Sequence, residues 1–239
     1  MSESKPEMSA PRFYAPSPLA AGPLTLTGPE AKHLTAVLRL GPGDAAELFD
    51  GEGARAAATV QAVRGKGAKT AAELLCEAPV YADPPASPLT LAVAAPKGDR
   101  FRWLIEKATE LGVARIVPLI CERSTVDPGG GKLDKLRATA LAACKQCRRD
   151  RLPEIADPLP FAAFLEQGLP TTLFHVTGDR FAPPAPGPYA ILIGPEGGFT
   201  EEEVTLATAS GARIAALPTP ILRTETAAIA AAAVFAAAS

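Results

Sequence analysis

One break in the chain constrains the fold more than anything else in it. Asp83-Pro-Pro-Ala-Ser-Pro88 separates two rhythms of sequence. Adjacent prolines exclude helix and form a stiff connector, so 83–88 reads as a linker between two domains. Before it, short apolar runs stop at turn residues. Pro23-Leu-Thr-Leu-Thr27 alternates and ends at Gly28-Pro29, and Glu47-Leu-Phe49 runs into Asp50-Gly51, a hairpin signal. Residues 54–63 and 70–75 are further strands around Gly65-Lys-Gly67. Between Glu30 and Leu40, His33, Val37 and Leu40 fit one short helix. Residues 12–82 therefore read as a small β-barrel, and the polar residues 1–11 as a disordered tail.

Beyond the linker, residues 89–239 alternate strand and helix. Leu89–Ala95 is a continuous apolar strand. Phe101, Leu104, Ile105, Ala108 and Leu111 recur at helical spacing, with Gly112 where a helix stops. Val113–Ile120, Thr171–Val176, Tyr189–Ile193 and Arg213–Leu217 read as strands, and Leu133, Leu136, Ala140 and Cys144 mark a helix. Thr200 with Glu203 forms a capping box opening another helix. From Thr226 the chain is an alanine-rich final helix. Buried strands alternating with helices mean an α/β domain built on a parallel sheet.

Composition narrows the class. At 239 residues the chain is long enough to bury a real core. Cys144 and Cys147 form one Cys-x-x-Cys pair in a helical run, while Cys76, Cys121, His33 and His175 are scattered. A structural zinc site needs four organised ligands, so no metal is expected and the thiols read as packing groups in a reduced, cytoplasmic protein. No stretch approaches the ~20 apolar residues of a membrane span, and the polar start does not read as a signal peptide. Lys+Arg 24 against Asp+Glu 26 offers no bulk argument for a nucleic-acid partner. The distribution is uneven, however. Residues 97–154 hold thirteen bases and eight acids, densest at Lys145-Gln-Cys-Arg-Arg-Asp-Arg151. That patch reads either as a solvated helix end or as a phosphate-contacting face.

Two segments follow strands and carry candidate chemistry. Ile193-Gly-Pro-Glu-Gly-Gly-Phe-Thr200 leaves an apolar strand and enters a capped helix. Its glycines allow close backbone approach to a ligand. It lacks the lysine of a phosphate loop, and Glu196 would repel phosphate; a tight turn and a binding loop both fit it. Leu217-Pro-Thr-Pro-Ile-Leu-Arg-Thr-Glu-Thr226 also joins strand to helix. In open α/β sheets ligands bind beyond the carboxyl ends of the strands, so both segments face one crevice. Capping by Thr224 or Thr226 and dipole pairing by Glu225 would account for those residues. Neither accounts for Arg223 at a positive helix end.

Taken together, Ile193-Gly-Pro-Glu-Gly-Gly198 and Ile221-Leu-Arg-Thr-Glu-Thr-Ala227 resemble the RsmE family of SPOUT methyltransferases. The resemblance runs over roughly 12–239, through His33, Val37-Leu-Arg39, Gly41-Pro-Gly-Asp44, Lys97-Gly-Asp-Arg100, Glu106-Lys-Ala-Thr-Glu-Leu-Gly112, Glu122-Arg-Ser124, Ala143-Cys-Lys-Gln-Cys147 and Arg151-Leu-Pro-Glu-Ile155. It departs at Ala36, Arg102, Lys145 and Arg148, and at Pro218 and Pro220, in a stretch that in the family usually reads Gly-Pro-Arg before Ile-Leu-Arg.

The resemblance implies a PUA-like, RNA-binding barrel and a SPOUT domain with a deep trefoil knot. It implies S-adenosylmethionine as cofactor, a homodimer, and methylation of uridine N3 in 16S ribosomal RNA, free or in the assembled small ribosomal subunit. Ile193, Gly194, Pro195, Glu196, Gly197, Gly198, Leu217, Leu222 and Thr224 would line the cofactor site. Arg223 and Glu225 would be catalytic, with Arg223 stabilising charge on the uracil and Glu225 taking its proton or orienting Arg223. Arg12, His33, Arg39, Lys97, Arg100, Arg123, Arg148, Arg149 and Arg151 would meet RNA. Ribose 2′-O-methylation and a non-catalytic RNA-binding assembly role are the rival expectations.

Overall fold

The computed structural model describes residues 10–16, 18–128 and 133–238. Most of the expected tail over 1–11 lies outside the described residues. Its last residue does not behave as tail, because the Pro11 carbonyl accepts a hydrogen bond from Glu47 N at 2.9 Å. The fold divides into two compact units. The first takes the chain to Pro84 together with Arg148–Arg151, and the second takes Pro85–Cys147 and the chain from Leu152 onward.

The first unit is one sheet of β1 (Arg12–Tyr14), β2 (Gly22–Thr27), β3 (Ala45–Phe49), β4 (Ala54–Arg64), β5 (Ala71–Cys76) and β6 (Val80–Tyr81). Its order is β1-β3-β4-β5-β2, with β6 pairing β4. β1 runs parallel to β3, and the other pairs are antiparallel. Strict alternation along β4 puts Ala54, Ala56, Ala58 and Val60 into a core with Phe13, Leu26, Leu34, Leu48 and Leu74.

The single helix expected over 30–40 is replaced by two pieces. α1 (Gly28–Lys32) opens with Pro29 in its first turn, and a π-helical turn follows over His33–Val37. Leu38 N donates to His33 O, five residues back. The wider turn shifts the phase, so Leu34 is buried while Val37 is 65% exposed. Arg39, at φ 57°, ends the segment.

Arg148–Arg151 belongs to this unit through contacts no local pattern reveals. Asp150, buried, pairs with the buried Arg12, and its other oxygen takes Arg55 Nη1 at 2.9 Å. Arg12 Nε also lies 3.2 Å from Glu47, and its guanidinium sits 4.2 Å above the Phe49 ring. Arg148 Nη2 reaches Glu47 at 3.1 Å, and Arg151 Nη2 donates to the Ala82 carbonyl at 2.9 Å. Gly53, at φ +113°, leaves room for the Arg151 guanidinium, which a Cβ there would meet at 2.6 Å.

The second unit holds β7 (Leu89–Ala94), α2 (Arg100–Glu110), β8 (Arg115–Ile120), α3 (Leu133–Cys147), β9 (Glu154–Ile155), β10 (Leu159–Pro160), α4 (Phe161–Leu165), β11 (Thr171–Arg180), β12 (Tyr189–Ile193), α5 (Glu201–Ala209), β13 (Arg213–Ala216) and α6 (Thr224–Ala236). Its parallel order is β10-β8-β7-β12-β11-β13, with β9 beside β8.

The apolar runs alternate between two cores. Leu91, Val93, Ile116 and Ile191 pack with Leu104 and Ile105 of α2, Leu136 of α3, and Ala228, Ala231 and Phe235 of α6. Ala92, Val117, Leu119 and Leu192 pack with Phe161 and Phe164 of α4 and Ala207 of α5. Helices on both faces of a parallel sheet make this the expected α/β domain.

Candidate active site

Between β7 and β12 the sheet order reverses direction, because β8 lies outside β7 and β11 outside β12. Such a reversal opens a crevice beyond the carboxyl ends of the strands. Three segments end there: 95–99 after β7, 121–128 after β8 and 194–199 after β12. The loop 217–223 after β13 joins them through a hydrogen bond.

The glycine loop is built from the end of β12 outward. Ile193 is the last buried strand residue. A Cβ on Gly194 would come within 3.0 Å of the Phe199 ring, so a side chain there would have to push that ring aside. Gly198 N closes the turn on Pro195 O at 2.8 Å with φ +71°. Thr200 then caps α5 with both halves of the capping box, Thr200 N to Glu203 Oε2 at 2.9 Å and Glu203 N to Thr200 Oγ1 at 3.2 Å.

Glu203 does more than the pattern implied. Its Oε1 accepts Glu122 N at 2.9 Å, so one buried carboxylate ties the loop after β8 to the start of α5. Next to it, Arg123 Nη1 donates to the Gly197 carbonyl at 2.9 Å. The Arg123 chain runs where a Cβ on residue 197 would stand, at 3.3 Å. Burial and the Glu203 charge push the neighbouring Cys121 thiol up to about 12, which keeps it protonated and inert.

The second loop meets the first directly. Thr224 Oγ1 donates to the Gly194 carbonyl at 3.1 Å. The expectation that Thr224 or Thr226 caps the last helix is corrected here. Arg223 is the N-cap residue, with no side-chain cap, and the Thr224 hydroxyl is spent on the glycine loop. Leu217 and Leu222 are half-buried, Arg223 is exposed, and Ile221 is 90% exposed.

Glu225 is 7% exposed. Its Oε1 lies 3.6 Å from Arg100 Nε, and its Oε2 is buried without a hydrogen-bond partner among the described residues. The site therefore presents open space beside the Gly198 backbone, an exposed guanidinium at Arg223, and a buried carboxylate oxygen without a hydrogen-bond partner among the described residues. No group of three His, Cys, Asp or Glu among the described residues is placed to hold a metal ion.

The residues expected on RNA separate into groups. Lys97, Arg100 and Arg123 are exposed at the loops after β7 and β8, while Arg39 is exposed on the first unit. His33 is half-buried there, edge-on to Phe13 at 5.8 Å. Arg12 is a correction: buried under two carboxylates, it cannot reach a phosphate. Arg148 and Arg151 pair with Glu47 and the Ala82 carbonyl, Arg149 is half-buried between them, and Arg148 keeps an exposed face.

Known proteins resemble the chain over nearly its whole length. The RNA methyltransferase domain family matches residues 83–236, and the RNA methyltransferase PUA domain family matches 26–73. The ribosomal RNA small subunit methyltransferase E of Synechocystis sp. is 34% identical over 224 residues, covering 89% of this chain and 72% of that protein. Its namesake in Bacillus subtilis is 29% identical, covering 85% of each. A Legionella pneumophila methyltransferase solved with S-adenosylmethionine superposes with a TM-score of 0.87 at 31% identity, over 97% of this chain and 98% of that one. The Neisseria gonorrhoeae ribosomal RNA small subunit methyltransferase E, also bound to S-adenosylmethionine, gives 0.84 at 29% identity, over 94% and 95%.

Proposed function

The chain belongs to the RNA methyltransferase family of ribosomal RNA small subunit methyltransferase E, and on that premise we propose that it methylates N3 of a uridine in 16S ribosomal RNA, using S-adenosylmethionine. The observation that carries this reading is the hydrogen bond from Thr224 to Gly194, which brings the two loops together over the strand ends. The residues present fit the cofactor, because a Cβ at Gly198 would meet nothing within 4 Å, so the turn after β12 offers open space beside its backbone. Ile193, Gly194, Pro195, Glu196, Gly197, Gly198, Leu217, Leu222 and Thr224 would hold it. When bound, it supplies an electrophilic methyl group.

The protein's share is to orient the uracil and remove its N3 proton. A neutral imide nitrogen has no free lone pair for attack. Arg223 donates to a uracil carbonyl oxygen and stabilises the charge that develops as N3 ionises. Glu225 Oε2 accepts the proton. Positioning of this kind supplies up to ~7–11 kcal/mol of a barrier. Arg223→Ala is expected to cost about 10²–10³ in kcat, measured with labelled cofactor on unmodified 30S particles and on free RNA, followed by digestion to nucleosides. Label outside 3-methyluridine overturns the reading.

The finer features of the family are proposed with it. The first unit is a PUA-like barrel that offers His33 and Arg39 to RNA, while Lys97 and Arg123 do so from the second. The second unit carries a deep trefoil knot. Supporting this, β13 lies at the sheet edge beyond β11, yet the next helix, α6, packs back on β7 and β12, so the 217–223 loop crosses the 194–199 loop. The enzyme works as a cytoplasmic homodimer. The alanine-rich α6 leaves small residues such as Ala230 and Ala233 incompletely covered for close packing, and no described helix is long and apolar enough to cross a membrane.

A further inference from the structure

Arg100 was expected on RNA, yet its neighbourhood suggests another duty. It is the first residue of α2, where a cation opposes the helix dipole. α2 has no acidic residue in its first turn, and Asp99 makes no side-chain cap. Nothing on its own helix accounts for Arg100. Its ion-pair partner is on the helix packed beside it: Nε lies 3.6 Å from Oε1 of the buried Glu225, on α6. The other oxygen of that carboxylate is the buried, partnerless Oε2. A cation beside Oε1 favours the rotamers that keep that oxygen toward it, and so biases where Oε2 points.

We propose that Arg100 is a positioning residue that holds Glu225 as an oriented carboxylate with Oε2 turned to the imide N3–H of the target base. The inference rests on Glu225 accepting the N3 proton. It differs from an RNA-contact role in what it leaves untouched. A phosphate contact would act on RNA affinity and its salt dependence, whereas an orienting contact acts on turnover.

The test compares Arg100→Gln, Arg100→Lys, Glu225→Gln and the Arg100→Gln/Glu225→Gln pair in the full-length protein. Arg100→Gln is expected to lower kcat by up to about 10²-fold, the scale of a misplaced catalytic group, with KM for RNA unchanged. Arg100→Lys restores most of the loss. The double variant is no slower than Glu225→Gln alone, as expected for residues acting as a unit. Two readouts without cofactor accompany this: an unchanged salt slope of RNA binding for Arg100→Gln, and non-additive melting-temperature shifts across the four proteins. A raised KM with unaltered kcat, a flattened salt slope, or losses that multiply in the double variant overturn the inference. If Glu225→Gln turns over normally, the base assignment falls and this inference with it. If Glu225→Gln is slow and Arg100→Gln is not, the inference alone falls.

Discussion

Two buried carboxylates do unlike work at the scale of single residues. Asp150 neutralises Arg12, whose side chain is 2% exposed. Removing one partner of a buried pair costs up to about 3–5 kcal/mol, and here Glu47 would be left to answer Arg12 alone. Asp150→Ala should therefore lower the melting transition of the first unit by upward of about 10 °C, read by differential scanning calorimetry; an unchanged transition would mean that Arg12 finds water. Glu203 instead joins loops. Glu203→Gln keeps one acceptor but turns an N–H₂ toward the backbone N–H of Thr200 or Glu122. Charge-assisted hydrogen bonds of this kind are worth about 1.5–3 kcal/mol, so S-adenosylmethionine affinity should fall by roughly tenfold or more in calorimetric titration.

The Cys121 thiol adds a pH dependence to this region. Its value is raised from the ordinary 9 to about 12, first by burial and then by Glu203. The folded state thus keeps a proton that the unfolded chain gives up. The stability linked to this thiol is intact below pH 9 and is lost as the pH rises toward 12. Cys121 should also resist alkylation at neutral pH until the protein is unfolded, followed by mass spectrometry of trapped thiols.

Among the elements, β11 shows how backbone sets a boundary. It was expected to stop at Val176 but runs to Arg180, with a register shift against β13 between Phe174 and Asp179. Gly178 sits in that shift, and a Cβ there would stand 2.5 Å from the backbone of Ala215. Gly178→Ala should pry β13 from the sheet and speed hydrogen exchange at 213–216 while sparing β7 and β12.

What the chain disclosed in advance follows from range. Tyr189–Ile193 and the Thr200–Glu203 box were legible because apolar runs and capping are local. The glycine loop and the Arg223–Glu225 segment were legible as a pair through their resemblance to a family. The Glu122–Glu203 bond was not, because its partners stand 81 residues apart. The two-residue strands β9 and β10 are too short to show a period, and the π turn at His33–Val37 hid the phase slip that turns Val37 outward.

Across the whole molecule, a net charge near zero conceals the basic excess of 97–154, and the ion pairs sort that excess. Arg148 answers Glu47, Arg115 answers Glu154, and Lys107 bridges Glu106 and Glu110. Lys97 and Arg123 are exposed beside the crevice. Charge reversal at Lys97 or Arg123 should weaken RNA binding and reduce its salt slope by about 1. Arg148→Glu should leave that slope alone and lower the melting temperature instead. The opposite pattern would return the 148–151 segment to the RNA face.

The staple formed by Arg148–Arg151 also sets an order of events during synthesis. Residues up to Pro84 leave the ribosome first, but the group that neutralises Arg12 and the guanidinium that fills the space over Gly53 are encoded roughly 70 residues later. At about 5–20 residues per second, that is a delay of roughly 3–14 s. During it the nascent β-sheet holds a buried cation with no counter-charge from Asp150, and much of the second unit's chain has already been made before the first can close. A protein cut after Pro84 would be held permanently in that unfinished state.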